Sequence, residues 1–254
     1  MSKIFHYTTL ETLILIIKNR TLRFNSLKNV DDCREGLSND LGSFADHIFV
    51  SSWTRDQTEN PALWKMYSDL HTGVRIGIDS TSISYKKLET WGEKDVNTLI
   101  YPIQNTENLP NDYYAINWLS NDTLDTVIDV EYKDNRPKFI GNHGERRYDY
   151  ICSVKDTYWK FQKECRFVLF GVKKSDIAEV NMNNLREFLS KGINLSSMEL
   201  NYINLQLTDY FLKNLEITAA PLMSDAYYDL LNNYLHNKIS QSISLQRSAL
   251  KIRK

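Results

Sequence analysis

Within the first 25 residues the hydrophobic period changes twice, and this constrains the fold more than any other feature. Lys3 to Tyr7 reads as a short strand. Thr8-Thr9-Leu10-Glu11 has the spacing of a capping box, with Thr8 as N-cap and Glu11 reaching back to it. A helix to about Lys18 should follow, with Leu10, Leu13, Ile14 and Ile17 on one face. Thr21 to Asn25 then alternates Leu22 and Phe24 and reads as a second strand. The same alternation of short elements continues. His47 to Ser52 reads as a buried strand, and Asn60-Pro61 as a helix start that places Trp64 and Tyr67 on one side. Gly73 to Asp79 and Lys163 to Phe170 read as strands, as does Glu216 to Ala219. A helix is predicted from Ser224 to Leu235.

Asn29 to Asp40 is polar, acidic and loop-like. Between 80 and 145 the pattern gives a strand at Thr98 to Ile103, a helix near Thr123 to Tyr132 and a turn at Gly141-Asn142-His143-Gly144. Arg147 to Trp159 reads as helix or mixed structure. The expected class is α+β, with mixed short-stranded sheets and flanking helices. A single domain over 1–254 is expected, ending in a basic segment, 238–254, that holds five basic residues and no acids. That segment suits a solvated end or a contact with phosphate backbone.

The chain has 254 residues, with 31 Lys+Arg against 32 Asp+Glu. This near balance excludes a globally basic nucleic-acid binder and leaves room for a local basic patch. No segment approaches the roughly 20 apolar residues of a membrane helix, and the N-terminus has no apolar signal core. Cys33, Cys152 and Cys165 are widely spaced and form no CxxC pair. A reducing cytoplasm is the expected setting, with no disulfide framework and no thiolate metal site. HExxH, GxSxG, P-loop and GxGxxG patterns are absent.

Three motifs carry chemistry, and each has two readings. His6-Tyr7-Thr8 lies at the end of strand one; it suits a ribose contact beside a stacking ring, or a satisfied core histidine beside a packing tyrosine. Trp64 and Tyr67 suit the walls of a pocket for a planar ligand, or the buried face of a helix. On the strand after Trp159, Gln162, Glu164 and Arg166 share one face, while Cys165, Phe167 and Leu169 face the core. Glu164 beside Arg166 suits an ionised carboxylate that binds a hydroxyl or stabilises a developing cation. It also suits a plain surface ion pair.

Taken together, the motifs resemble the bacterial domain of unknown function 2971 family over nearly the whole chain. The opening His6-Tyr7-Thr8-Thr9-Leu10 and Thr21-Leu22-Arg23-Phe24-Asn25-Ser26 match its first block. Val50-Ser51-Ser52-Trp53 follows, then Leu63-Trp64, Tyr67, His71, Gly73-Val74 and Ile78-Asp79. Lys155, Trp159, Gln162, Glu164 and Arg166 match a later block, in which the family's usual Glu is replaced by Gln162. Pro221-Leu222-Met223-Ser224 and Ser248 to Arg253 complete the match.

The strand–helix–strand opening is similar to the ADP-ribosyltransferase fold. That resemblance implies NAD as substrate, with no metal. His6 would contact the nicotinamide-side ribose, and Tyr67, or in second place Tyr7, would stack on nicotinamide. Glu164 would hold a ribose hydroxyl and stabilise an oxocarbenium-like transition state. Gln162-Lys163-Glu164 resembles the Q-x-E form of the target-recognition turn, which makes Gln162 a catalytic candidate. Ser51, Trp64 and Arg166 fall in the cofactor-binding set. The implied activity is ADP-ribosyl transfer to nucleic acid or protein, or NAD hydrolysis, in a toxin or phage-defence effector. A non-catalytic nucleotide- or RNA-binding module and a plain interaction protein are the alternatives.

Overall fold

In the computed structural model of the chain, residues 3–83, 101–103, 105–117, 127–142, 147–177, 197–239 and 243–253 are described. The main elements are β1 (Lys3–Thr9), α1 (Leu10–Asn19), β2 (Thr21–Ser26), β3 (Ile48–Thr54), α2 (Pro61–Tyr67), β4 (Gly73–Asp79) and β5 (Tyr113–Asn117). They continue with β6 (Glu164–Lys173), β7 (Tyr202–Gln206), β8 (Glu216–Ala219), α3 (Asp225–Lys238) and β9 (Ser244–Arg247). The class is mixed α and β, built on one large, mostly antiparallel sheet. Its main path runs β9–β8–β4–β1–β3–β6–β5 and ends on the short strand Tyr101–Pro102. Only the outer pair, β8 with β9, is parallel in this sheet.

One helix cap differs from the expectation. Thr8 lies inside β1 with its side chain buried, one residue before the strand gives way to the helix. Thr9 ends the strand and caps α1 instead, accepting from the Thr12 N–H at 3.1 Å. At α2 the expected start holds: the Asn60 side chain accepts from the Ala62 N–H, and Pro61 takes the first helical position. The helix expected over 123–132 is not seen in its described part. Residues 118–126 lie outside the described set, and Ile128–Asp129 and Glu131–Tyr132 are short strands. Ile128 pairs with Arg166 and Asp129 with Cys165, so strand pairing overrides local helix propensity here. Of the strand expected at 98–103, residues 98–100 lie outside the described set and Tyr101–Pro102 is a strand. Of the expected turn at 141–144, only 141 and 142 are described.

The centre of the sheet is covered on both sides. Phe49, Trp53, Cys165, Phe167 and Leu169 enter the larger core with α1 and α2. Ile48, Val50, Val168 and Phe170 enter a second core with Leu27, Phe139 and Cys152. β6 is therefore buried along nearly its whole length, and the reading of Glu164 and Arg166 as a plain surface ion pair is corrected, because both side chains are buried. The basic C-terminal segment is also structured in part. β9 extends the sheet, and beyond it Ser248 Oγ and the Ala249 N–H donate to the Glu59 carboxylate.

The sheet forks at β3, and the fork positions everything that follows. One edge of β3 is occupied by β6 from Ile48 to Thr54. The other edge meets β1 only at Thr54 and β2 only at Phe49 and Val50. β1 and β2 diverge between those points, with α1 joining them. Ser51, Ser52 and Trp53 face the gap with no strand pairing on that edge.

Gly73, the first residue of β4, tests the packing between α2 and the sheet. A Cβ there would meet Ser68 Oγ at 1.7 Å and the Asp69 carbonyl oxygen at 2.4 Å, and the carbonyl belongs to backbone that cannot swing aside. Gly73→Ala should therefore destabilise the chain by about 2 kcal/mol through overpacking. Urea titration checks this; an unchanged midpoint would contradict the tight turn.

Candidate functional site

The fork opens into a cavity of about 470 Å³. Its lining brings together six of the eight residues singled out from sequence: His6, Tyr7, Ser51, Tyr67, Gln162 and Glu164. The other two lie elsewhere. Trp64 is fully buried behind the wall, edge-on to Tyr7 at 5.1 Å, with its Nε1–H on Glu59. Arg166 does not reach the cavity; it sits beneath Glu164.

Each lining side chain is fixed by its backbone. His6 comes from β1 where that strand leaves β3. Its Nδ1 lies 2.8 Å from the Ser52 carbonyl oxygen, an acceptor that the fork leaves without a strand partner. A carbonyl can only accept, so Nδ1 carries the proton and Nε2 is the acceptor of the neutral ring. Burial lowers the pKa of His6, and the Ser52 hydrogen bond only partly offsets this. The Tyr7 hydroxyl accepts from the Asn60 N–H at 2.9 Å and so anchors the start of α2.

Tyr67 ends α2 with its ring half-buried. Its hydroxyl donates to Asp31 Oδ2 at 2.7 Å and accepts from Gln162 Nε2 at 2.5 Å. Burial, with Asp31 next, raises its pKa, so the phenol stays protonated.

Gln162 and Glu164 flank a sharp turn. Asp156 caps the 3₁₀ turn Thr157–Gln162, and Lys163 then takes a left-handed conformation, φ 45°. That residue reverses the chain and puts both neighbours on the cavity. Lys163 is held there by an ion pair to Asp56 at 2.8 Å and by Arg55 N–H donation to its carbonyl. The Glu164 N–H donates to the Tyr132 hydroxyl at 2.7 Å.

Below the turn four buried charges close a ring. Arg166 contacts Glu164 Oε1 at 2.6 Å and Glu35 Oε2 at 2.5 Å. Lys155 Nζ lies 3.0 Å from Glu164 Oε2 and 3.1 Å from Glu35 Oε1. Two acids and two bases balance, which is the condition for keeping charges out of water. Burial alone would raise the Glu164 pKa. Arg166, Lys155 and a hydrogen bond from Ser52 outweigh it, so the carboxyl lies below its ordinary value. The Cys165 thiol, by contrast, is pushed up to about 12 by burial and is a poor nucleophile at neutral pH.

Sequence reasoning missed Glu35 and Asp31 and gave Lys155 no role. The acidic loop delivers both carboxylates because its own side chains tie it to the Lys155 strand. Asp32 accepts from the Asp156 N–H at 2.8 Å and from the Arg34 N–H at 2.9 Å, and Arg34 pairs with Asp156. Gly36 follows with φ 72°, where a Cβ would meet Ala45 Cα at 2.9 Å. The carboxylates of Asn29 to Asp40 were legible as acids; their depth in the fold was not.

No protein family, curated protein or solved structure matches the chain. Among the described residues, no cluster of His, Cys, Asp and Glu is suited to hold a metal ion, and no helix is long and apolar enough to cross a membrane.

The shifts fix the acid behaviour of the fold. Burial lowers the pKa of His6 and of His47 below 6.5, so near that pH the unfolded chain takes up protons that the folded chain refuses. Stability should therefore fall as pH drops from 7 towards 5. A second loss should follow below about 4.5, as Glu164 is forced to take a proton. His6→Asn, which keeps a donor for Ser52, should flatten part of the first slope. Urea midpoints at a series of pH values check this; a midpoint that rises on acidification would refute the neutral histidines.

Proposed function

We propose that this chain is an ADP-ribosyltransferase-like enzyme that takes NAD as substrate in the forked cavity, in a toxin or phage-defence setting. The reading extends the similarity of the strand–helix–strand opening to the ADP-ribosyltransferase fold. The observation that carries it is the convergence of His6, Tyr67 and the Gln162–Glu164 turn, from three separate segments, on one cavity.

In this reading the half-buried Tyr67 ring takes the nicotinamide face, in preference to Tyr7, which is 4% exposed. His6, with Nδ1 held on Ser52, packs its ring against the nicotinamide-side ribose. Glu164, ionised and braced from behind by Arg166, faces the anomeric carbon. The C1′–N bond breaks, its electron pair stays on nicotinamide, and nicotinamide leaves as a neutral base. The charge left on the ribosyl carbon is stabilised by the Glu164 carboxylate, a preorganised group that needs no rearrangement at the moment of reaction. An acceptor nucleophile, or water, then bonds to C1′ and releases its proton. Gln162, able to donate and accept, suits a contact to that acceptor. Tyr158 and Phe161, both exposed on the turn before it, extend the surface an acceptor would meet. The acceptor class we favour is nucleic acid, ahead of protein.

One observation favours a second reading. Both oxygens of Glu164 are already held by cations, which suits a nucleotide- or RNA-binding module without turnover.

The test is nicotinamide release from NAD by wild type and by Glu164→Asp, with and without mixed DNA and RNA. The aspartate keeps the ring's charge balance and withdraws the carboxylate. Glu164→Gln would leave two buried cations facing a single acid, at a cost of about 3–5 kcal/mol. We expect release by wild type and a loss of about 10²–10³-fold in the folded aspartate variant. Undiminished release there would sink the catalytic role of Glu164. NAD binding without release would move the assignment to the binding module.

A further inference from the structure

Glu35 is the member of the charged ring that carries an oxygen without a hydrogen-bond partner among the described residues. Its side chain is 1% exposed and lines the cavity beside Lys155 and Glu164. Its Oε2 is held by Arg166. Its Oε1 lies 3.1 Å from Lys155 Nζ but off the direction of a hydrogen bond, and no donor among the described residues reaches it. A buried carboxylate oxygen in that state gains from any donor that a ligand brings.

The ring's charge count selects the kind of donor. Two acids and two bases already cancel, so a cationic ligand group would leave an excess buried charge. A neutral hydroxyl satisfies the oxygen without disturbing the balance. Geometry narrows the choice further. Glu35 Oε1 and Glu164 Oε2 both sit against the same ammonium, at 3.1 and 3.0 Å. Two carboxylate acceptors gathered on one cation suit two hydroxyls on adjacent carbons.

We infer that Glu35 is a specificity-determining residue: it accepts one hydroxyl of a ribosyl cis-diol while Glu164 accepts its neighbour, with Lys155 setting the spacing between the two carboxylates. The inference rests on the reading in which Glu164 takes a ribose hydroxyl, and it adds a selectivity. The site should discriminate against ribosyl groups that lack either hydroxyl, because the missing donor leaves a buried charged acceptor unpaired.

Isothermal titration of the full chain tests this. The probes are NAD, NAD lacking either the 2′- or the 3′-hydroxyl on the nicotinamide-side ribose, and adenosine and uridine with their 2′-deoxy and 3′-deoxy forms. With wild type, each lost hydroxyl should weaken binding at least about tenfold. Glu35→Gln should become indifferent to one of the two hydroxyls and stay sensitive to the other. Because Glu35→Gln removes a buried partner of Arg166, its fold is checked by circular dichroism; if it is unfolded, the wild-type series decides alone. NAD bound equally well with and without its hydroxyls would overturn the diol site and leave the NAD reading standing. No binding of NAD, with a tenfold preference for a ribonucleoside over its deoxy forms, would support the diol site and remove the NAD reading. No preference for any ribosyl probe over its deoxy forms overturns the inference.

Discussion

Glu35 lies on the acidic loop, 131 residues before Arg166, while Lys155 precedes Glu164 by nine, and the mutual neutralisation of the four side chains holds these three stretches together. Each of the four side chains is at most 5% exposed. None could stay charged there alone, because the desolvation penalty of an unpaired ion is several kcal/mol. The acidic loop, the Lys155 strand and the start of β6 are therefore obliged to meet. Asp32, Arg34 and Tyr132 reinforce the meeting with backbone and ionic contacts. The floor of the cavity is a consequence of this charge balance, while its walls are a consequence of the forked sheet.

The fork itself is a solution to unpaired backbone. A strand edge must find partners for its polar groups. β3 uses β1 at one end, β2 near the other, and the His6 imidazole on Ser52 between them. The same bond gives His6 its tautomer. A side chain that completes the sheet is thereby presented to the cavity as one tautomer.

Much of the framework was legible because it carries local signals. The apolar spacing of Leu13 and Ile17, the Asn60-Pro61 start and the alternation of Val74, Ile76 and Ile78 each specify an element without help from elsewhere. The rest depended on distant chain. The alternation in β6 put Glu164 and Arg166 on the face opposite Cys165 and Phe167 and left a surface ion pair open as one reading, but a strand at the centre of a sheet covered on both faces has no solvent side. Glu35 looked like one acid in an acidic loop, because the cations that bury it lie more than a hundred residues away. Thr8 and Thr9 are equivalent as caps by composition, and only the sheet, which buries the Thr8 side chain and leaves that of Thr9 exposed at the strand end, separates them. Ile128 and Asp129 carry helix-compatible neighbours, yet the free edge of β6 takes them as a strand.

The ring is neutral, but its arrangement is not symmetrical about the cavity. Glu35, Lys155 and Glu164 line the cavity, while Arg166 lies beneath the two acids. A group in the cavity therefore meets the Glu35, Lys155 and Glu164 side chains, with the guanidinium behind them. The guanidinium placed so is the largest influence holding the Glu164 carboxyl below its ordinary pKa. Each oxygen keeps lone pairs beyond the one its cation uses. The balance that allows burial is thus compatible with presenting negative charge to a ligand, and the rigidity it imposes removes the cost of orienting that charge when a positive centre develops.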